Sequence, residues 1–164
     1  RMSGRSMVSD CYATQNGFAG FRPLGTGVLR GCTATLNMTG IRSETGSGVL
    51  ILENECSDNT GYGIWMNGAV GCRIEGNHVY SNTGNGIYLA DEALGAPGNL
   101  VDGNTTSGNG GDGIQVAKAG HTISDNTANS NVGWGIFAEV GTIDGGGNSA
   151  SGNGQLEQCF GVNC

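Results

Sequence analysis

The feature that most constrains this chain is a pair of columns that recur along its whole length. The first column reads Cys11, Cys32, Asn54, Asn77, Asn104, Asn126 and Asn148. Five residues after each member stands another asparagine: Asn16, Asn37, Asn59, Asn82, Asn109, Asn131 and Asn153. A glycine column follows at Gly20, Gly40, Gly63, Gly86, Gly113 and Gly135, and at once an apolar column at Phe21, Ile41, Ile64, Ile87, Ile114 and Ile136. Another apolar column precedes the first by three residues: Val8, Leu29, Ile51, Ile74, Val101 and Ile123. In the last copy two extra glycines place Ile143 five residues before Asn148. The periods are 21, 22, 23, 27, 22 and 22 residues. Self-similarity at such a period marks a stack of equivalent units.

A unit of about 22 residues with three short apolar spots cannot bury a face alone. Stacking the units joins those spots into one continuous core. The short apolar pieces alternate with period two, as in Ile87, Tyr88 and Leu89, which is the signature of a strand. Three short strands and three turns per unit make one coil of a parallel β-helix. Coils repeat at the strand spacing, so seven give a rod about 34 Å long. A column of mostly small residues, Ala13, Ala34, Cys56, Val79, Thr106, Ala128 and Ala150, suits a narrow cross-section. At tight turns asparagine tolerates positive φ, and its side chain bonds to nearby backbone. Stacked once per coil, the amides also form ladders along the axis.

Composition agrees with this reading. The 33 glycines and 17 asparagines supply many turns, whereas good helix formers are scarce. The formal net charge of −7, with only seven Lys and Arg, argues against nucleic acid as a partner. No apolar run approaches the roughly 18 residues of a membrane span. The chain starts at Arg1 without a charged-then-apolar leader, so any signal peptide is expected to be absent or removed. One apparent motif dissolves in the repeat. Gly108, Gly110 and Gly113 have the spacing of a dinucleotide-binding turn, but a strand-like segment follows where a long helix is required.

The N-x-x-x-x-N-x-x-x-G-I pattern, as at Asn77, Asn82, Gly86 and Ile87, resembles the repeat of right-handed parallel β-helix proteins of the pectate-lyase-like superfamily. The resemblance covers nearly the whole chain. It implies an all-β, right-handed, single-stranded parallel β-helix of about seven coils with asparagine ladders, residues 1–154, followed by a tail, residues 155–164. The handedness comes from the resemblance and agrees with the preference of parallel crossovers. The superfamily hosts lyases, hydrolases, epimerases, tailspikes, adhesins and repeats without catalysis, so fold does not settle function. Pectate-lyase-like catalysis requires clustered calcium-binding aspartates with a nearby arginine. Mannuronan-epimerase-like proteins require a D-P-H-D stretch, and polygalacturonase-like hydrolases an aspartate trio on one strand face. None stands in this sequence, which argues against catalysis unless an active site lies in coils upstream.

The residue after the second apolar column is expected to point outward. That column reads Arg22, Arg42, Trp65, Tyr88, Gln115 and Phe137. Two residues before the apolar column stand Ala19, Thr39, Tyr62, Asn85, Asp112 and Trp134. Five of the ten aromatics fall in these two columns. Outward rings at steps of about 5 Å, interleaved with Arg42, Gln115 and Asp112, can stack on sugars and bond their hydroxyls. The same rings can instead cover the rod, pack under loops or meet another chain. The longest excursion, Ala90 to Asn99, brings Asp91 and Glu92 beside the stripe. They are candidates for binding calcium or for acid–base work, against the plain reading of a solvated loop tip. No other cofactor is implied. Glu75 and Asp102 share a column on neighbouring coils, most simply as a surface charge pair.

Six cysteines suggest a secreted or cell-surface protein. Cys159 and Cys164 are expected to close a short disulfide loop. Cys11 and Cys32 are expected as neighbours on adjacent coils, either as stacked thiols or as a bond joining two coils. The pairing of Cys56 and Cys72 stays open. The repeat already runs at Val8, so the first coil is expected to present unpaired strand edges, met by upstream residues or by another subunit. Three functions follow as expectations. One is an extracellular scaffold that contacts polysaccharide along the stripe without catalysis. The others are the C-terminal part of a polysaccharide lyase, epimerase or hydrolase, and a subunit that self-associates through its open first coil.

Overall fold

The computed structural model describes residues 5–90 and 98–164, all β and without helix among them. Three parallel sheets of seven strands each run the length of the stack. The first holds Met7–Ser9, Val28–Arg30, Leu50–Leu52, Arg73–Glu75, Leu100–Asp102, Thr122–Ser124 and Ile143–Gly146. The second holds Tyr12–Thr14, Thr33–Thr35, Glu55–Ser57, His78–Tyr80, Thr105–Ser107, Thr127–Asn129 and Ser149–Ser151. The third holds Ala19–Phe21, Thr39–Ser43, Ile64–Met66, Ile87–Leu89, Ile114–Val116, Ile136–Ala138 and Cys159–Phe160. Each strand pairs with its equivalent one coil away, in the register set by the sequence columns. The apolar columns line the interior: Leu29, Ile51, Ile74, Val101 and Ile123 from the first sheet, and Ile41, Ile64, Ile87, Ile114 and Ile136 from the third, are all fully buried.

Both asparagine ladders form. Each Oδ1 accepts the backbone N–H of its counterpart in the preceding coil, as from Asn54 to Asn77 at 2.9 Å and from Asn82 to Asn109 at 3.1 Å. It usually accepts that counterpart's Nδ2 as well. The same Nδ2 groups donate to core-strand carbonyls, Asn109 to Val79 and Asn77 to Ile51. Buried polar groups at each corner thereby find partners.

The ladder asparagines do not themselves adopt positive φ, contrary to the sequence expectation. The residue just before each one does. Among the described residues all eight non-glycine residues with positive φ, Asp10, Gln15, Leu36, Glu53, Asp58, Ser81, Asp125 and Ser130, sit immediately ahead of a ladder position. Glycines 31, 76, 103, 108, 147 and 152 fill the remaining places. The left-handed residue makes the corner, and the next side chain turns inward along the axis. The glycine column has a different cause. A Cβ at Gly86 would lie 2.6 Å from the carbonyl oxygen of Gly113 and 2.8 Å from Asn109 Nδ2. Coils approach too closely there for any side chain.

Two further departures occur toward the C-terminal end. A bulge pairs Ile143 with Thr122 and Asp144 with Ile123, so Ile143 faces out, 57% exposed, and Asp144 takes the inward place. The Asp144 carboxylate accepts the backbone N–H groups of Gly146 and Asn163 at 2.9 Å each. These bonds, from Asn163 foremost, hold it below its ordinary pKa. The tail also supplies the last strand of the third sheet, Cys159–Phe160, and Gln158 Oε1 accepts both N–H and Nδ2 of Asn153, closing the second ladder. Cys159 and Cys164 are disulfide-bonded. Cys11 and Cys32 are stacked thiols rather than a bond: the Cys11 N–H donates to Cys32 Sγ, so the buried sulfur stands in for an asparagine oxygen.

Candidate functional site

The outward stripe follows from register alone. In the third sheet Arg42, Trp65, Tyr88, Gln115, Phe137 and Phe160 are successive pairing partners. The strands of Trp65, Tyr88, Gln115 and Phe137 are each buried–half-buried–buried, so the middle residue faces out while its neighbours fill the core. Tyr62 joins the same surface, its ring centroid 5.6 Å from Trp65 and 5.2 Å from Tyr88. At the other end Trp134 lies 6.2 Å from Phe137, and Phe137 stacks on Phe160 at 5.1 Å with 12° between planes. The predicted stripe is therefore two aromatic patches.

A polar rung separates them. Asn85 Nδ2 donates to Gln115 Oε1 at 2.6 Å. Asn85 Oδ1 accepts the Asp112 N–H, and Asp112 Oδ1 accepts the Trp134 N–H at 2.7 Å. Burial pushes the Asp112 carboxyl above its ordinary pKa, with the Trp134 hydrogen bond pulling the other way. These residues set the turn while presenting amide and carboxyl groups between the rings.

The columns point to Arg42 and Trp65 but not to the cluster they form with Phe18 and Glu44, which caps the patch nearest the first coil. The Arg42 guanidinium lies 3.9 Å from the Trp65 ring and 4.5 Å from that of Phe18. Glu44 bridges Arg42, at 2.6 Å, and Arg22. Burial would raise the Glu44 carboxyl, but the bonds from both arginines bring it below its ordinary value. Phe18 and Glu44 sit in turns between columns, and Phe160 joins the stripe only because the tail adds a strand. A third corner was also missed. Counting back two places from Ile74, Val101 and Ile123 gives Cys72, Asn99 and His121. The Cys72 N–H donates to Asn99 Oδ1, and the Asn99 N–H to Nδ1 of fully buried His121.

Other candidates fall elsewhere. Asp91 and Glu92 lie outside the described residues. Glu75 and Asp102 are neighbours, as expected, but Glu75 pairs with Arg73 and Asp102 accepts from Ser124. Cys56 is buried in the core, which raises its thiol pKa. One cleft lies off the stripe, over Arg30, Leu52, Glu53, Glu75 and Gly76.

This is a right-handed β-helix whose one outward face carries two ring patches around a polar rung. The chain belongs to the NosD family, described as periplasmic copper-binding protein, which matches residues 3–153. Solved structures share the fold. The A-module of the Azotobacter vinelandii mannuronan C-5 epimerase AlgE6 has a TM-score of 0.74 at 18% identity, over 95% of this chain and 47% of that one. The periplasmic alginate epimerase AlgG gives 0.61 at 18% identity, over 92% and 49%. An alginate lyase from Paenibacillus sp. str. FPU-7 gives 0.52 at 16%, over 98% and 80%. The chain thus spans about half the length of the two epimerase structures. No curated protein matches it.

The family description raises copper, which soft sulfur and imidazole donors select. Among the described residues no group of three His, Cys, Asp or Glu converges. The Cys72 thiol donates to the Val70 carbonyl, His121 Nδ1 accepts in the third corner, Cys56 lies in the core, and His78 stands against the Tyr80 ring. Among the described residues the donors do not fit a three- or four-ligand copper centre. No helix among the described residues is long and apolar enough to cross a membrane.

Proposed function

We propose that this protein is a secreted or periplasmic scaffold that binds polysaccharide along the outward face of its third sheet. The observation that carries the reading is the register of Trp65, Tyr88, Gln115, Phe137 and Phe160, one per coil, with Tyr62 and Trp134 beside them. Rings at one coil rise, about 4.8 Å, offer successive stacking platforms to an extended polymer. Asn85, Asp112 and Gln115 offer donors and acceptors to hydroxyls between the platforms. A ridge of this kind suits a long chain lying across it better than a small molecule, which calls for a concave site. The polysaccharide-acting names of the structural neighbours agree with it. Glycan arrays probed with the wild type and a Trp65→Ala, Tyr88→Ala pair test it: binding is expected in the first and lost in the second, and equal binding by both removes the stripe from the account.

A second reading has the span of the chain in its favour. As part of a longer lyase or epimerase, it would extend the substrate-binding face of an active site held in other coils. A precursor sequence with further coils and a carboxylate cluster would support that reading, and a precursor without them would remove it.

A further inference from the structure

Charge is distributed unevenly over the rod. Arg30 pairs with Glu53 and Arg73 with Glu75, one carboxylate to each guanidinium. Arg22 and Arg42 share the single carboxylate of Glu44, so among the described residues this bridge holds two guanidiniums to one carboxylate, in a chain whose net charge is −7. Hydrogen-bonding capacity is also unspent there. Nε of Arg22, Nε of Arg42 and Nε1 of Trp65 are buried and have no hydrogen-bond partner among the described residues. Unmet buried donors are costly, and clustered ones mark a place where an acceptor is missing.

We propose that the Arg22–Arg42–Trp65 cluster is the anion-recognising end of the stripe, so that the polymer it takes carries carboxylate or sulfate groups. This rests on the polysaccharide reading of the same face and narrows it to acidic sugars. A guanidinium presents its donors as a planar fork that matches such oxyanions. Arg42, held between the faces of Phe18 and Trp65, has its plane fixed before a ligand arrives. Arg22 keeps 34% of its side chain exposed and Glu44 26%, so solvent reaches the bridge. Glu44 is the internal stand-in for the ligand: it already occupies both guanidiniums, and an incoming anion competes with it. Phe18, 41% exposed, lies over both arginines. An anionic sugar at this end sets its neighbours on Trp65, Tyr62 and Tyr88.

The test uses calorimetric titration with a polyuronate, a sulfated galactan and a neutral glucan of matched length, on the full chain. At least one anionic polymer is expected to bind about tenfold or more tightly than the neutral one, the preference falling with added salt. Whether the uronate or the sulfated arm binds better distinguishes the two anions. Arg42→Met is expected to lower affinity for the anionic polymer far more than for the neutral one, erasing the preference. Glu44→Gln, which removes the competitor and leaves both arginines, is expected to raise anionic affinity. This second variant keeps the claim testable should Arg42→Met unfold, as a urea midpoint will show. Equal affinity for neutral and anionic polymers overturns the proposal alone, as does a Glu44→Gln variant that loses anionic affinity. Absence of binding to any polymer overturns the polysaccharide reading together with it.

Discussion

The asparagine corners and the outward stripe repeat at the same coil spacing, yet one is monotonous and the other varied. At the second corner every coil carries asparagine, because each amide must serve the coil before it and a core carbonyl. Across the stripe the same register places Arg42, Trp65, Tyr88, Gln115, Phe137 and Phe160 in succession. The interior constrains identity through unmet hydrogen bonds and close approach. The outer face constrains only direction. Stability should therefore reside in the first and recognition in the second.

The largest effect is expected at Asn109→Ala. Its Oδ1 accepts two bonds from Asn82, and its Nδ2 donates to Val79 and Asn131. Leaving these groups buried and unpaired should cost about 4 kcal/mol in chemical denaturation. A loss below about 1 kcal/mol would break the comparison. Gly86→Ala comes next, at about 2–3 kcal/mol, because its Cβ meets backbone of the next coil. Thr106→Val should go the other way. The buried Thr106 hydroxyl has no hydrogen-bond partner among the described residues, and its removal should be neutral or stabilise by up to about 1 kcal/mol. The smallest effect is a pH dependence at the tail. The Asp144 carboxyl titrates lower in the folded chain than unfolded, so its contribution is present above an ordinary aspartate pKa, about 4, and fades as pH falls through the folded value. The protection factor of the Asn163 amide, taken against the unfolded-chain exchange rate at each pH, should fall below about pH 4 and stay level above it.

Much of the fold was legible because every coil restates it. Column arithmetic placed the ladders, the core and the facing of Trp65 and Tyr88. It failed where the reason is local. Positive φ belongs to the residue before each ladder position, which varies from Leu36 to Glu53 and so leaves no column to read. The bulge at Asp144 turned Ile143 outward because two added glycines changed the register rather than lengthening a loop. The corner at Cys72, Asn99 and His121 hid behind three different residue types doing one job. In the candidate site the middle of the stripe could be read, whereas Phe18, Glu44 and Phe160 arrive from turns and tail that share no spacing with the repeat.

The division between inside and outside is tested most directly on the Trp65→Ala, Tyr88→Ala variant, with unfolding midpoint and glycan affinity measured on the same sample. Lost ring contacts should lower stability by no more than about 1–3 kcal/mol in total, and affinity should disappear. A variant that binds as the wild type does, or one that unfolds outright, would contradict the account.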